Sequence, residues 1–172
     1  MQQKLGLIRA DSRVLDLGAA PGSWSRYVLE ILDQRGRLVA ADLSPLELAP
    51  DPRLAVLELD ILSQGFVTIV SRHGPFDVVL SDAAPATTGD RTVDTARSAT
   101  LVESILHGLP HYLAPGGDLA VKIFQGGQEQ FLLRGLRSAF QNARAFKPRA
   151  CRKGSFETYL IGIGYGGEEA LS

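Results

Sequence analysis

Short apolar runs alternate along the chain with stretches of helical periodicity. Residues 13–17 (RVLDL) read as a short buried strand, followed by a Gly-Ala-Ala-Pro-Gly turn and a helical stretch from Ser23 or Trp24 to about Asp33. Residues 37–41 (RLVAA) predict a second strand ending at Asp42, residues 54–59 a third ending at Asp60, and residues 76–81 (FDVVLS) a fourth ending at Asp82. Residues 62–71 and 93–112 read as helical. The turn APGG at 114–117 leads into a fifth strand at 118–124, residues 129–140 read as a helix, and residues 143–146 and 158–163 are two further strands. Strands that are apolar on both faces and alternate with helices predict a parallel sheet covered on both sides. Residues 147–157 are too short for an ordinary crossover, so the last pair is expected to be antiparallel. The pattern is thus α/β, a mostly parallel seven-stranded sheet with the last strand antiparallel and helices on both faces. One long polar loop, 83–92 (AAPATTGDRT), follows a strand's C-terminal end, where open α/β sheets bind ligands. No repeat, low-complexity tract or linker interrupts the pattern, which predicts one domain over 1–172.

Composition narrows the class. A chain of 172 residues and 18.5 kDa is long enough to bury a core without staples. Its 45% hydrophobic and 22% charged residues exclude a disordered tail, a collagen-like fibre and a disulfide scaffold. The single cysteine, Cys151, leaves no intrachain disulfide and fits a reducing, cytoplasmic location. No apolar run approaches about 18 residues, so no membrane span is expected, and the first residues are neither a signal nor a transit peptide. The net charge of −1 speaks against a nucleic-acid binder as an average. The average hides an asymmetry: residues 1–94 hold nine basic and thirteen acidic side chains, residues 95–172 nine basic and six acidic. Arg134, Arg137, Arg144, Lys147, Arg149, Arg152 and Lys153 fall within twenty residues that contain no Asp or Glu. Such a run is either a solvated face or a patch that tracks phosphates, to which Arg91 and Arg97 beside the polar loop can add.

Four features carry chemistry. In DLGAAPGSW (16–24), Gly18 and Gly22 let a ligand approach the backbone closely, and the helix N-terminus behind them offers free N–H groups. The G-x-x-x-G spacing lacks the pyrophosphate fingerprint of dinucleotide sites. Asp42, Asp60 and Asp82 stand at three successive strand ends. Each alone reads as a cap or turn residue; three lining one crevice read as a nucleoside site. There Asp42 would accept from ribose hydroxyls and Asp60 from an adenine amine, while Asp82 would meet the amino-acid part or the reaction centre. Lys122, inside the apolar run LAVKIF (119–124), is costly unless it is paired, functional or able to snorkel to solvent. Glu157, at the start of the last strand, is unremarkable alone. His73, His107 and His111 lack partners at ligand spacing, so no metal site is expected.

Together these residues resemble the FtsJ (RrmJ) family of S-adenosylmethionine-dependent RNA 2′-O-methyltransferases over about residues 6–164. The resemblance rests on DLGAAPGSW (16–24), AADLS (40–44), LELDI (57–61), SDAAP (81–85), LAPGG (113–117), VKIFQG (121–126) and SFETYLIG (155–162). It implies a Rossmann-like methyltransferase domain that binds S-adenosylmethionine. The implied cofactor residues are Gly18, Pro21, Gly22, Ser23 and Trp24 with Asp42, Asp60 and Asp82. Of the family's Lys-Asp-Lys-Glu catalytic set, it places Asp82, Lys122 and Glu157. The implied acceptor is a ribose 2′-hydroxyl of RNA, above all in large-subunit ribosomal RNA or the large ribosomal subunit. Lys122 would accept the hydroxyl proton, and alignment of the reacting atoms would supply several kcal/mol, roughly 7–11 in the best cases. The family's first lysine has no counterpart at its usual position. Lys4 is the only lysine upstream of Asp16, so either that segment is lacking or Lys4 substitutes from an altered place. Two other readings stay open: a methyltransferase for tRNA, an mRNA cap or a small molecule, and a non-catalytic module that binds S-adenosylmethionine or RNA.

Overall fold

The structure, a computed structural model, describes residues 6–147 and 156–167. Its strands are β1 (Arg13–Leu17), β2 (Arg37–Asp42), β3 (Leu54–Glu58), β4 (Phe76–Ser81), β5 (Leu113–Phe124), β6 (Phe140–Phe146) and β7 (Glu157–Tyr165). The helices among the described residues are α1 (Ser23–Ile31), α2 (Phe66–Ser71), α3 (Arg91–Tyr112) and α4 (Gln128–Ala139). The strands form one seven-stranded sheet in the order β3-β2-β1-β4-β5-β7-β6. Strands β1 to β5 pair in parallel, and β7 runs antiparallel to both of its neighbours.

The strand pattern explains the two-sided core. Leu15 and Leu17 of β1 belong to the core cluster that also takes in residues of α2, α3 and α4, whereas Val14 belongs to the cluster of Val28 and Leu32 on the α1 side. This is the period-two alternation of a strand buried on both faces. From the central pair β1 and β4 the chain winds outward in opposite directions, so the crevice lies at their C-terminal ends. The loops that follow these two strands press on each other there. Gly18 has a φ of +70°, and a Cβ on it would sit 2.4 Å from the Ala83 Cα.

Several element boundaries depart from the periodicity: β6 already begins at Phe140 and β7 continues to Tyr165, and three other departures have a visible cause. The stretch 62–71 is helical only from Phe66, because Asp60 draws the preceding residues into turns: its Oδ1 accepts from the Leu62 N–H at 2.8 Å, and its carbonyl from the Ser63 N–H at 3.0 Å. Strand β5 begins at Leu113 rather than Asp118. Leu113 pairs with Phe76 and Asp118 with Val78, so APGG bulges out of a ladder that has already started. Helix α3 begins at Arg91 because Asp90 caps it, accepting from Thr92 N at 2.8 Å and Val93 N at 3.3 Å.

Candidate active site

The three strand-end carboxylates converge. A cleft of about 400 Å³ is lined by Gly18, Asp42, Asp60, Asp82 and Lys122, with Ile61 and Leu101 among its apolar walls. That volume lies within the usual range of small-molecule sites, roughly 300–1,000 Å³. Asp42 is fixed by backbone donors: Ala20 N–H reaches Oδ2 at 2.9 Å and Ser44 N–H reaches Oδ1 at 2.8 Å. An ionised carboxylate offers about four acceptor positions, so Asp42 keeps capacity for two ligand hydroxyls. The glycine loop is tied to β2 as well, with Gly18 N and Ala19 N donating to the Ala41 carbonyl. Pro21, Gly22, Ser23 and Trp24 continue from the cleft wall into the first turn of α1.

At the other end of the cleft a charge cluster assembles around a buried lysine. Lys122 is 9% exposed, and its Nζ lies 3.1 Å from Asp82 Oδ1 and 3.8 Å from Glu157 Oε1. Strand register explains the meeting. Lys122 stands opposite Tyr159 and Phe124 opposite Glu157 across the β5–β7 ladder, so alternation puts Lys122, Tyr159 and Glu157 on one face. The Tyr159 hydroxyl donates to Asp82 Oδ1 at 2.8 Å, and its ring stacks on Trp24 with centroids 5.6 Å apart. Trp24 therefore buttresses the charge cluster from α1. All three catalytic candidates come together within ion-pair distance. Lys4 lies outside the described residues, as do Arg149, Arg152 and Lys153. The described part of the basic run is exposed, with Arg134 and Arg137 on α4, Arg144 on β6 and Lys147 just after β6.

The structure adds residues that the sequence reading passed over. Tyr159 follows Glu157 by two positions in a strand, and that spacing alone puts it on the Glu157 face. Asp16, within β1, is fully buried beside α1. Its Oδ2 accepts from the Ser25 hydroxyl at 2.6 Å, and Oδ1 is buried without a hydrogen-bond partner. Burial pushes the Asp16 carboxyl up to about 7, against the opposing Ser25 bond and with help from the Asp82 and Asp42 charges. In α3, Asp94 is buried and accepts from Thr88 N and Thr88 Oγ1, both at 2.8 Å, and from Gly89 N at 3.3 Å. The Thr88 backbone bond leads in holding its carboxyl below the usual range. One turn on, Ser98 Oγ accepts from Phe124 N at 3.0 Å. The start of α3 thus fastens both the loop after Asp82 and the strand end after Lys122. Buried polar residues at i and i+4 on an otherwise apolar helix face are the signal for such a bracket.

Asp16 gives the site a pH signature. The native state keeps a proton there that the unfolded chain releases near the ordinary value of 3.8. Its contribution is present below that value and is lost as pH rises toward 7. Asp16→Asn, which mimics the protonated acid, is expected to melt higher than the wild type at pH 8, by at most on the order of 4 kcal/mol. The gap should close on descending to pH 4. Parallel melting curves for the two ligand-free proteins from pH 4.5 to 8 would contradict this.

The orphaned Asp16 Oδ1, the close-approach glycines and the three carboxylates fit a nucleoside carrying a cationic amino-acid part. Comparison with known proteins points the same way. A family profile described as FtsJ-like methyltransferase matches residues 1–165. The chain is 52% identical over 168 residues to the ribosomal RNA large subunit methyltransferase E of Treponema denticola, covering 97% of this chain and 84% of that one. It is 42% identical over 164 residues to the protein of the same name from Syntrophobacter fumaroxidans, covering 95% and 83%. Among solved structures it is similar to a Plasmodium falciparum protein assigned as a ribosomal RNA methyltransferase. That match has a TM-score of 0.82 and 25% identity, over 97% of this chain and 93% of that chain.

Proposed function

Because the chain belongs to the FtsJ-like methyltransferase family, we infer that it transfers a methyl group from S-adenosylmethionine to a ribose 2′-hydroxyl of ribosomal RNA. The observation that carries this reading is the buried Lys122 ammonium held between Asp82 and Glu157 at the mouth of a nucleoside-sized cleft. The proposed cofactor-holding set is the glycine loop from Gly18 through Pro21, Gly22 and Ser23 to Trp24, with Asp42, Asp60 and Asp82. Asp42 suits the ribose hydroxyls, and Asp16 Oδ1 suits a cationic donor such as the methionine ammonium. When bound, S-adenosylmethionine supplies a methyl group already activated by its sulfonium.

The protein's own work is alignment and proton removal. Lys122, once it has passed its proton to solvent along the half-exposed Glu157 side, takes the 2′-hydroxyl proton as the oxygen–carbon bond forms. Asp82 and Glu157 fix the Nζ position, and Tyr159 fixes Asp82. The whole chain serves as one catalytic domain. The large ribosomal subunit is its proposed working partner and the cytoplasm its location; no helix among the described residues is long and apolar enough to cross a membrane.

The test is product analysis. Large-subunit ribosomal RNA and isolated large subunits, incubated with the protein and labelled cofactor, are digested to nucleosides and read by mass spectrometry. A 2′-O-methyl nucleoside is expected. Label confined to a base would overturn the reading.

A further inference from the structure

Beside the catalytic cluster lies a second arrangement that neither proton removal nor cofactor binding uses. Arg91, the first residue of α3, is exposed, and its guanidinium carbon lies 5.5 Å from the centroid of the Phe156 ring. Its Nη2 donates to the Gln125 carbonyl at 3.3 Å. Among the described residues it forms no salt bridge with a carboxylate, although this chain has more acidic than basic side chains. Phe156 is half-buried and meets Phe124 edge-on, with centroids 4.8 Å apart and planes at 69°. Phe156 directly precedes Glu157, and Phe124 follows Lys122 by two positions, so the group adjoins the reacting centre through the backbone itself.

Both sides of this group are held in advance. The Asp90 cap and the Asp94 bracket fix the turn that presents Arg91. Ser98 and the pairing of Phe124 with Glu157 fix the strand ends. Single-stranded RNA is read by stacking its bases on aromatic rings and on guanidinium planes, which accept any base through its π-face. An arginine laid over an aromatic ring is a flat, delocalised surface of that kind, and a lysine is not. We propose that Arg91 and Phe156 form a stacking subsite for an RNA base next to the acceptor nucleotide. This rests on the ribosomal RNA methyltransferase reading. It assigns to the site a recognition element for unpaired bases.

Three variants separate stacking from charge and from mere support. Arg91→Lys keeps the charge and loses the plane; Phe156→Leu keeps apolar bulk and loses the ring, which Phe156→Tyr restores. The measurements are the affinity for a fluorescein-labelled single-stranded RNA of mixed sequence, its salt dependence, KM and kcat on large-subunit ribosomal RNA, and S-adenosylmethionine affinity. Arg91→Lys and Phe156→Leu are each expected to weaken RNA binding roughly five- to hundredfold and to raise KM more than they lower kcat. The salt slope and cofactor affinity should hold, and Phe156→Tyr should recover the loss. Wild-type RNA affinity in Arg91→Lys would make Arg91 a phosphate contact only and overturn the proposal, as would unchanged binding in Phe156→Leu. Loss of cofactor affinity in step with RNA affinity would reassign the pair to structural support. Failure of the wild-type protein to methylate RNA while it binds cofactor would instead strike at the functional reading beneath.

Discussion

Replacing Lys122 with alanine should abolish detectable methyl transfer while S-adenosylmethionine still binds. Removal of a general base, the role proposed for Lys122, costs on the order of 10²–10⁴ in rate, and Lys122 also lies between the two carboxylates of the cluster. Its Nζ is the shared partner of Asp82 and Glu157, so alanine leaves two carboxylates facing each other without it. Both are about a third or more exposed, at 35% and 41% of the side chain, so water softens the repulsion and the fold should survive. Lys122→Arg isolates the chemistry. Arginine retains the positive charge between the two carboxylates but does not take up a proton in this range. Both variants are therefore expected to bind cofactor by calorimetry and to fail in turnover. Activity in Lys122→Arg near that of the wild type would remove Lys122 from the proton-accepting role.

The second large effect is expected from Gly18→Ala. The added methyl would lie 2.4 Å from the Ala83 Cα and 2.5 Å from its nitrogen, both backbone atoms that no side-chain rotation can clear. The φ of +70° adds a strain of about 1–2 kcal/mol for any residue with a Cβ. Relief requires the loops after β1 and β4 to part, and these loops carry the proposed cofactor wall and Asp82. A drop of at least roughly tenfold in cofactor affinity and a lower melting temperature should follow, since the clash comes on top of the strain. Gly89→Ala is the control. Its φ is +86°, yet nothing lies within 4 Å of the new methyl, so it bears the strain without the clash. If the two variants bound cofactor equally well, the tight approach of Gly18 to Ala83 would have no functional weight.

Much of the site was legible because it is built from strand ends. An apolar run that closes on Asp marks its own C-terminus, and three such runs placed Asp42, Asp60 and Asp82 in one crevice once the sheet was known to be parallel. Lys122 announced itself by interrupting an apolar strand. What escaped depends on pairings between distant parts of the chain. Tyr159 matters because it bonds Asp82 and stacks on Trp24, contacts that join β7 to β4 and α1. Asp16 looked like a strand residue among apolar neighbours, and only its burial with one oxygen unpartnered shows its cost. The early start of β5 was hidden for a similar reason. The APGG signal for a turn was correct locally, but the Phe76–Leu113 pair lets the ladder begin before the bulge. The true start of α3 could have been read from Asp90, whose capping chemistry is local.

The position of β7 sets an order of assembly. The cleft residues Gly18, Asp42, Asp60 and Asp82 belong to the first four strands and the loops that follow them, and these strands neighbour one another in the sheet. Lys122 arrives with β5, and Glu157 and Tyr159 only with β7, which lies between two strands made before it. Proteins are synthesised from the N-terminus, at about 5–20 residues per second. On an emerging chain the half of the site proposed to grip the cofactor can therefore emerge seconds before the half proposed to deprotonate an acceptor. Until β7 slots in, β6 has no neighbour among the described strands, and under the proposed roles a nascent protein would hold a methyl donor that it could not yet spend.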